Sequence, residues 1–334
     1  MQRITLGNTV FEGENNAYLF DGEATVLVDT GVATSETRAE LEAGLAEYDV
    51  AFEDVDAIVL THYHADHSGL AGEIQAESDA TVYAHEADAA LIAGDEDAWA
   101  ALEAKQRRLF DEWGMPQDAR EELLAFLAAG EESSIYGDPV DVTTFSSDDA
   151  LSVPGLTLEV LHAPGHTAGL SCFVPEGTND VLTGDALLPV YTPNVGGADV
   201  RVDDPLAAYC RTLETVADRG FDRAWPGHRD PIDDPAGRAR YILEHHEERA
   251  FRVLSVLDVH GPADAWTVSA HLFGDLSNIH ILHGPGEAYA HLEHLVETGE
   301  LERREMSYEL TDETKARLAA WSDAEGKRWP LSVN

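Results

Sequence analysis

The stretch LTHYHADHSG, residues 60–69, decides the reading of this chain. Between His62 and His67 it holds three histidines and one aspartate in six consecutive positions. The apolar run VDAIVL directly before it reads as a buried strand, so the potential ligands are concentrated where a strand ends. Imidazole and carboxylate are borderline and hard donors, suited to zinc, manganese or iron rather than copper(I). Alternation of side chains along the run predicts that His62 and His64 face one ion while Asp66 and His67 turn to a neighbour.

Three further loops complete the set. HAPGHTAG offers His166, LTGDALLP offers Asp185 and WPGHRD offers His228. Each follows an apolar, strand-like run, and the Pro-Gly or Thr-Gly before the ligand suits a tight turn. Side chains at strand ends on one sheet edge can converge on loops held by a rigid scaffold.

Taken together these residues resemble the metallo-β-lactamase superfamily. THYHADH matches its THxHxDH motif, and GH, GD and GH follow in the family's order over roughly residues 1–232. The resemblance implies an α/β fold, the four-layer αβ/βα sandwich, with a binuclear site between two sheets. It implies that His62, His64 and His166 hold one metal, that Asp66, His67 and His228 hold the second, and that Asp185 bridges them. Asp29, in VLVDTG, stands where the family has an aspartate that orients a ligand histidine. The implied cofactors are two divalent ions, zinc first, with iron or manganese fitting the same donors. Two ions about 3.5–4 Å apart share a water and lower its pKa, which makes a bridging hydroxide the expected nucleophile. Asp66 would be the catalytic residue, ligating a metal and holding the nucleophile's proton. Aspartate at 185, with neither cysteine in a ligand loop, resembles hydroxyacylglutathione hydrolase (glyoxalase II) and its relatives rather than the antibiotic-degrading lactamases.

Outside the ligand loops, QRITLGN, AYLFD, TVLVDTG and TVYAH read as strands, and SETRAELEAGLAEY as a helix behind a Ser/Thr cap. Residues from about 86 to 135 are Ala/Glu/Leu-rich and predict a helical insertion. From residue 233 to 334 a long helix, two further helices and the hairpin ELERREMSYELTDE predict a linking helix and a C-terminal winged-helix domain. GPGEAYAHLEHLVETGELER resembles the small domain of the lactamase-beta-2-like group, which includes single-strand endoribonucleases and thioesterases. The expected division is therefore a catalytic domain, 1–232, and this second unit, with a homodimer surface as one role for the latter.

Asp and Glu number 64 against 21 Lys and Arg, a formal charge of −43, and the acids are spread along the whole chain. Self-repulsion of that size is relieved by salt, whose Debye length falls to about 3 Å at molar concentration. The expected setting is a high-salt cytoplasm, as in a halophilic archaeon. The first twenty residues lack the basic start and apolar core of a signal peptide. No apolar run reaches a membrane span, so no membrane partner is expected. Cys172 and Cys210 cannot build a disulfide framework.

The expected function is hydrolysis of a small-molecule ester or thioester. A metal-dependent single-strand endoribonuclease is the alternative, and a nucleic-acid-binding regulator with a vestigial site ranks third. RNA affinity needs Lys or Arg against phosphate. Only Arg201, Arg223 and Arg229 lie near the ligand loops on the chain. Tyr191 and Asn194 in LLPVYTPNVGG, and Tyr63 between two ligands, are candidate substrate contacts. His85 reads as a core or cap residue, His245 and His246 as solvated or packing residues on the long helix, and the mixed spacing of His280, His283, His291 and His294 does not predict a further metal site.

Overall fold

A computed structural model describes residues 1–7, 13–132, 134–147, 150–321 and 326–332. Residue 133 of the predicted insertion thus lies outside the described residues.

Two sheets face each other. The first is built from β1 (Gln2–Leu6), β2 (Asn15–Asp21), β3 (Thr25–Val28), β4 (Ala57–Val59), β5 (Thr81–His85) and β6 (Val142–Phe145), in that order across the sheet. β1 to β3 are antiparallel neighbours, whereas β3 to β6 run parallel. Parallel strands need crossovers. They are α1 (Ser35–Ala46), then α2 (Ala65–Ser68) with α3 (Ala71–Ser78), then the helices of the insertion. That insertion comprises α4 (Glu86–Ile92), α5 (Glu96–Glu112) and α6 (Gln117–Glu132). α1 begins behind Thr34, whose side chain accepts from the Thr37 amide, the cap that the sequence signals.

The second sheet has the order β11-β10-β9-β8-β7. Its strands are β7 (Ala150–Val153), β8 (Leu156–His162), β9 (Ser171–Pro175), β10 (Asp180–Gly184) and β11 (Arg223–Pro226). Between β10 and β11 the chain crosses through α7 (Pro205–Arg219). The helices α8 (Pro235–His260), α9 (Ala265–Phe273) and α10 (His280–Glu297) follow. β12 (Leu301–Arg304) and β13 (Ser307–Leu310) pair as a hairpin before α11 (Asp312–Ala319).

Alternation of side chains sorts the core into layers. Val26, Val28 and Val59 meet Leu158, Val160, Phe173 and Leu182 between the sheets. Leu27 and Ile58, pointing the other way, pack with Leu41 and Leu45 of α1 and Ile74 of α3. Cys172, Val174 and Val181 face Leu213 of α7 and Ile242 of α8. Helix, sheet, sheet and helix therefore stack as the resemblance implies, a mixed α/β sandwich.

The C-terminal helices do not stand apart from this body. The amide of Trp266, in α9, donates to the carbonyl of Trp113 at the end of α5 (2.8 Å). Leu257, Leu292 and Leu310 join the same apolar cluster as Leu27 and Ile58. Both cysteines are buried and free. Among the described residues no helix is long and apolar enough to cross a membrane.

Candidate metal centre

All seven predicted ligands lie beyond strand ends, five in loops and two on a short helix, and the structure brings them together. His62 and His64 leave β4, Asp66 and His67 lie on α2, His166 follows β8, Asp185 follows β10 and His228 follows β11. The alternation expected along the first loop is not what separates its two halves. The chain turns into α2 at Ala65, so a helical turn, not a continuing strand, carries Asp66 and His67 away from His62 and His64.

His62 Nε2 is 3.0 Å from His64 Nδ1, which is 3.1 Å from His166 Nε2. Their outer nitrogens are occupied. His62 Nδ1 meets Thr61 Oγ1 at 3.0 Å, His64 Nε2 meets the Ala198 carbonyl at 3.3 Å, and His166 Nδ1 meets the Asn194 carbonyl at 2.9 Å. A carbonyl only accepts, so His64 and His166 point their protons outward. Their inner lone pairs then converge on one point with that of His62, an arrangement that a cation satisfies and water-free packing does not.

The second half repeats the logic. His67 Nδ1 donates to Asp29 Oδ2 at 2.9 Å, and His228 Nδ1 donates to the Glu14 carbonyl at 3.2 Å. Inward, His67 Nε2, His228 Nε2 and Asp185 Oδ1 are buried without a hydrogen-bond partner. Each orphaned group of this kind costs about 1–3 kcal/mol unless something unites them. Asp185 reaches both halves: Oδ1 is 3.5 Å from His67 Nε2, while Oδ2 is 3.4 Å from His228 Nε2 and 3.7 Å from His166 Nε2. Asp66 Oδ2 lies 3.5 Å from His228 Nε2. Three donor groups result, His62/His64/His166, His62/His67/Asp185 and Asp66/His67/His228, each with ligand atoms within 4.8 Å of one another. The residues therefore fit two cations.

Protonation differs between the halves. Burial, with neighbouring imidazoles, holds His62 well below its ordinary range and brings His64 down to about 3. Burial also pulls on His67, but Asp185, Asp66 and Asp29 outweigh it and raise that ring. Burial pulls Asp185 up, but His228 and then His67 outweigh it and lower that carboxyl well below its ordinary range. Gly227 explains the glycine before His228: a Cβ there would stand 2.5 Å from Asp185 Oδ1 and 2.6 Å from His67 Cε1, inside the site.

Asp29 lies beside His67. Its carboxylate accepts from His67 Nδ1, from the Thr61 amide (2.8 Å) and from Thr61 Oγ1 (2.8 Å). Its backbone is left-handed, φ 59°, a conformation that Asp tolerates.

Other residues escaped the sequence. Asn15 Nδ2 donates to Asp66 Oδ2 at 3.2 Å, aiming that carboxylate; its only signal is an Asn pair at the head of a strand. Asp88 is fully buried and binds both histidine loops, accepting from the Tyr63 amide (3.2 Å), the Gly169 amide (3.1 Å) and Thr167 Oγ1 (3.3 Å). Arg201 bonds Asp88 (2.5 Å) and the buried Asp199 (2.7 Å), and lies over the Tyr63 ring.

Among the predicted substrate contacts, Tyr191 is exposed with its ring against Arg229. Tyr63 is buried, its hydroxyl donating to the Ala198 carbonyl at 3.3 Å. Asn194 is part-buried with its amide engaged internally.

Fold and site define a metal-dependent hydrolase, and comparison with known proteins agrees. Residues 10–228 match the family model of the metallo-beta-lactamase superfamily, and the chain belongs to that family. Metallo-beta-lactamase family protein TTHA1429 from Thermus thermophilus superposes with a TM-score of 0.78 at 31% identity, over 93% of this chain and 98% of that one. Probable metallo-hydrolase YqjP of Bacillus subtilis (strain 168) is 29% identical over 273 residues, 78% of this chain and 81% of its own length. Thioesterase pkgB of Emericella nidulans is 23% identical over 254 residues, 75% of this chain but only 56% of its own. TTHA1623, solved in a di-iron-bound form, has a TM-score of 0.50 at 25% identity, covering 71% of this chain and 96% of that one.

Proposed function

We propose that this protein is a binuclear hydrolase of a small-molecule ester or thioester. His62, His64 and His166 hold one ion, Asp66, His67 and His228 the other, and Asp185 stands between them. The observation that carries this reading is the inward convergence of lone pairs whose outer nitrogens are already committed. Zinc is the proposed ion, with iron the alternative that TTHA1623 supports. When bound, two such ions lower the pKa of water and neutralise charge that develops on a carbonyl oxygen.

The chain's own residues do the rest. Asp66 Oδ2, aimed by Asn15, receives the proton of the attacking water. Asp29 keeps the His67 proton on Nδ1, away from the ligand nitrogen. Asp88 and Arg201 lock the two histidine loops to each other. Tyr191, on the exposed side of the loop after Asp185, borders the substrate.

The engagement of the nearby arginines favours a small substrate over RNA. Arg201 is paired with two buried aspartates, Arg223 is 2.6 Å from Asp233, and Arg229 lies on Tyr191. The name of pkgB supports a thioester. The order of α8, α9, α10 and the β12–β13 hairpin supports a winged-helix unit at 233–334, after a catalytic unit at 1–232. The acidic excess supports a high-salt cytoplasm, and gel filtration in molar salt decides between monomer and homodimer.

The test is hydrolysis by metal-replete protein in molar potassium chloride of a panel of thioesters, lactones and single-stranded RNA, beside Asp66→Ala. Thioester or ester turnover that the substitution abolishes supports the reading. Cleavage of RNA alone refutes it.

A further inference from the structure

The loop after Asp185 is pressed onto the C-terminal helix α10, backbone against backbone. A Cβ at Gly286 would stand 2.4 Å from Gly197 Cα, and one at Gly197 would stand 2.7 Å from His283 Cα. Neither position has room for a side chain. Asn194 ties the two segments together. Its Nδ2 donates to the His283 carbonyl (3.1 Å) and to Glu287 Oε2 (3.2 Å), both on α10. Its Oδ1 accepts from the amides of Gly197 (3.1 Å) and Ala198 (2.8 Å), closing the turn. Glu287 is itself buried and paired with Arg249 of α8, whose guanidinium lies over the Phe273 ring of α9.

The other side of this same turn faces the ligands. The Asn194 carbonyl receives His166 Nδ1, and the Ala198 carbonyl receives both His64 Nε2 and the Tyr63 hydroxyl. These contacts hold two of the three imidazoles of the first donor group. A shift of the turn along α10 would move both acceptors at once.

We propose that Asn194, anchored by Glu287, is a positioning residue that sets the His166 and His64 imidazoles, so that the C-terminal helices form part of the frame of the metal centre. This rests on the binuclear reading above. The polarity of the link makes it specific. Two amide donors meet two acceptors on α10, and the amide oxygen meets two backbone N–H groups. Aspartate at 194 would keep the closure of the turn but set a carboxylate against Glu287 and the His283 carbonyl. Glutamine at 287 would then supply the missing donor.

The experiment is a cobalt(II) titration followed by visible absorption, with thermal unfolding of each apo protein as the control for folding. The wild type takes up two ions. Asn194→Asp is expected to bind one of them about 10–100-fold more weakly and to shift its absorption bands, the loss typical when a ligand histidine loses its orienting partner. Adding Glu287→Gln should restore most of that affinity, a coupling that contact of Asn194 with substrate would not produce. Gly286→Ala, which displaces the loop while leaving every polar side chain in place, should also shift the bands. Wild-type affinity and bands in Asn194→Asp, or no recovery in the double variant, overturn the proposal. If Asn194→Asp does not fold, Gly286→Ala decides, and unchanged cobalt bands there overturn it. A wild type that binds no cobalt refutes the binuclear reading, and this inference with it.

Discussion

Replacing Asp29 by asparagine tests the site at its most constrained point. The carboxylate accepts three hydrogen bonds and donates none, so His67 must keep a proton on Nδ1 and present Nε2 inward. In Asp29→Asn, Oδ1 still accepts from the Thr61 amide. The new Nδ2 then stands where Oδ2 was, 2.9 Å from His67 Nδ1. Two donors cannot face each other, so the imidazole is driven to the opposite tautomer, with its proton on Nε2 toward Asp185. That nitrogen can no longer take a metal. The expected loss is about 10–100-fold in affinity for the ion shared by Asp66, His67 and His228, or roughly 1.4–2.8 kcal/mol. The other ion should lose less, because Thr61 Oγ1 can still accept from His62 Nδ1 although its own proton loses Asp29 Oδ2 as acceptor. The fold should lose only about 1–3 kcal/mol, the net worth of hydrogen bonds to a charged group. Calorimetric titration of the apo protein with zinc reads both sites. Unchanged affinity at both would refute the tautomer argument. An equal loss at both would show that Asp29 holds the whole loop rather than the proton of one ring.

Three further expectations follow from the packing. Removing Arg201 by substitution with alanine leaves Asp88 and Asp199 buried without their cation, and should cost about 3–5 kcal/mol in urea unfolding; a loss below about 1 kcal/mol would mean that the aspartates find other partners. His246 and His291 are buried against each other between α8 and α10, and burial holds both rings well below their ordinary 6.5. The unfolded chain takes protons that the folded one refuses, so this stability is present above about pH 6.5 and is lost as pH falls. A His246→Gln variant should therefore show a shallower fall in melting temperature between about pH 7 and 5. Finally, a charge of −43 should make the melting temperature climb from about 0.1 to 2 M potassium chloride; a flat response would separate the acidic composition from any salt requirement.

The candidate ligands were legible in the sequence because metal chemistry restricts residue type, and because the loops that carry them follow apolar strands. Asp29 was legible only through the family resemblance. Asp88 and Arg201 were not, since a lone acid at a helix start and an arginine in a loop look solvated until tertiary burial brings them together. The hold of α10 on Asn194 joins residues about ninety positions apart, a distance at which no local pattern carries information. Strands β6 and β7 escaped because VTTF and ALSV are only four residues long and lie at sheet edges, with half of each strand exposed. The helical turn at Ala65 also shows the limit of periodicity: a run read as alternating is a loop after β4 and the start of a helix.

Whether these seven side chains hold two ions is read by anomalous diffraction at the metal edge from crystals grown with zinc. Two peaks are expected about 3.5–4 Å apart, one beside His62, His64 and His166 and one beside Asp66, His67 and His228, with Asp185 between. A single peak, or none within reach of Asp185 at saturating zinc, would contradict the binuclear reading.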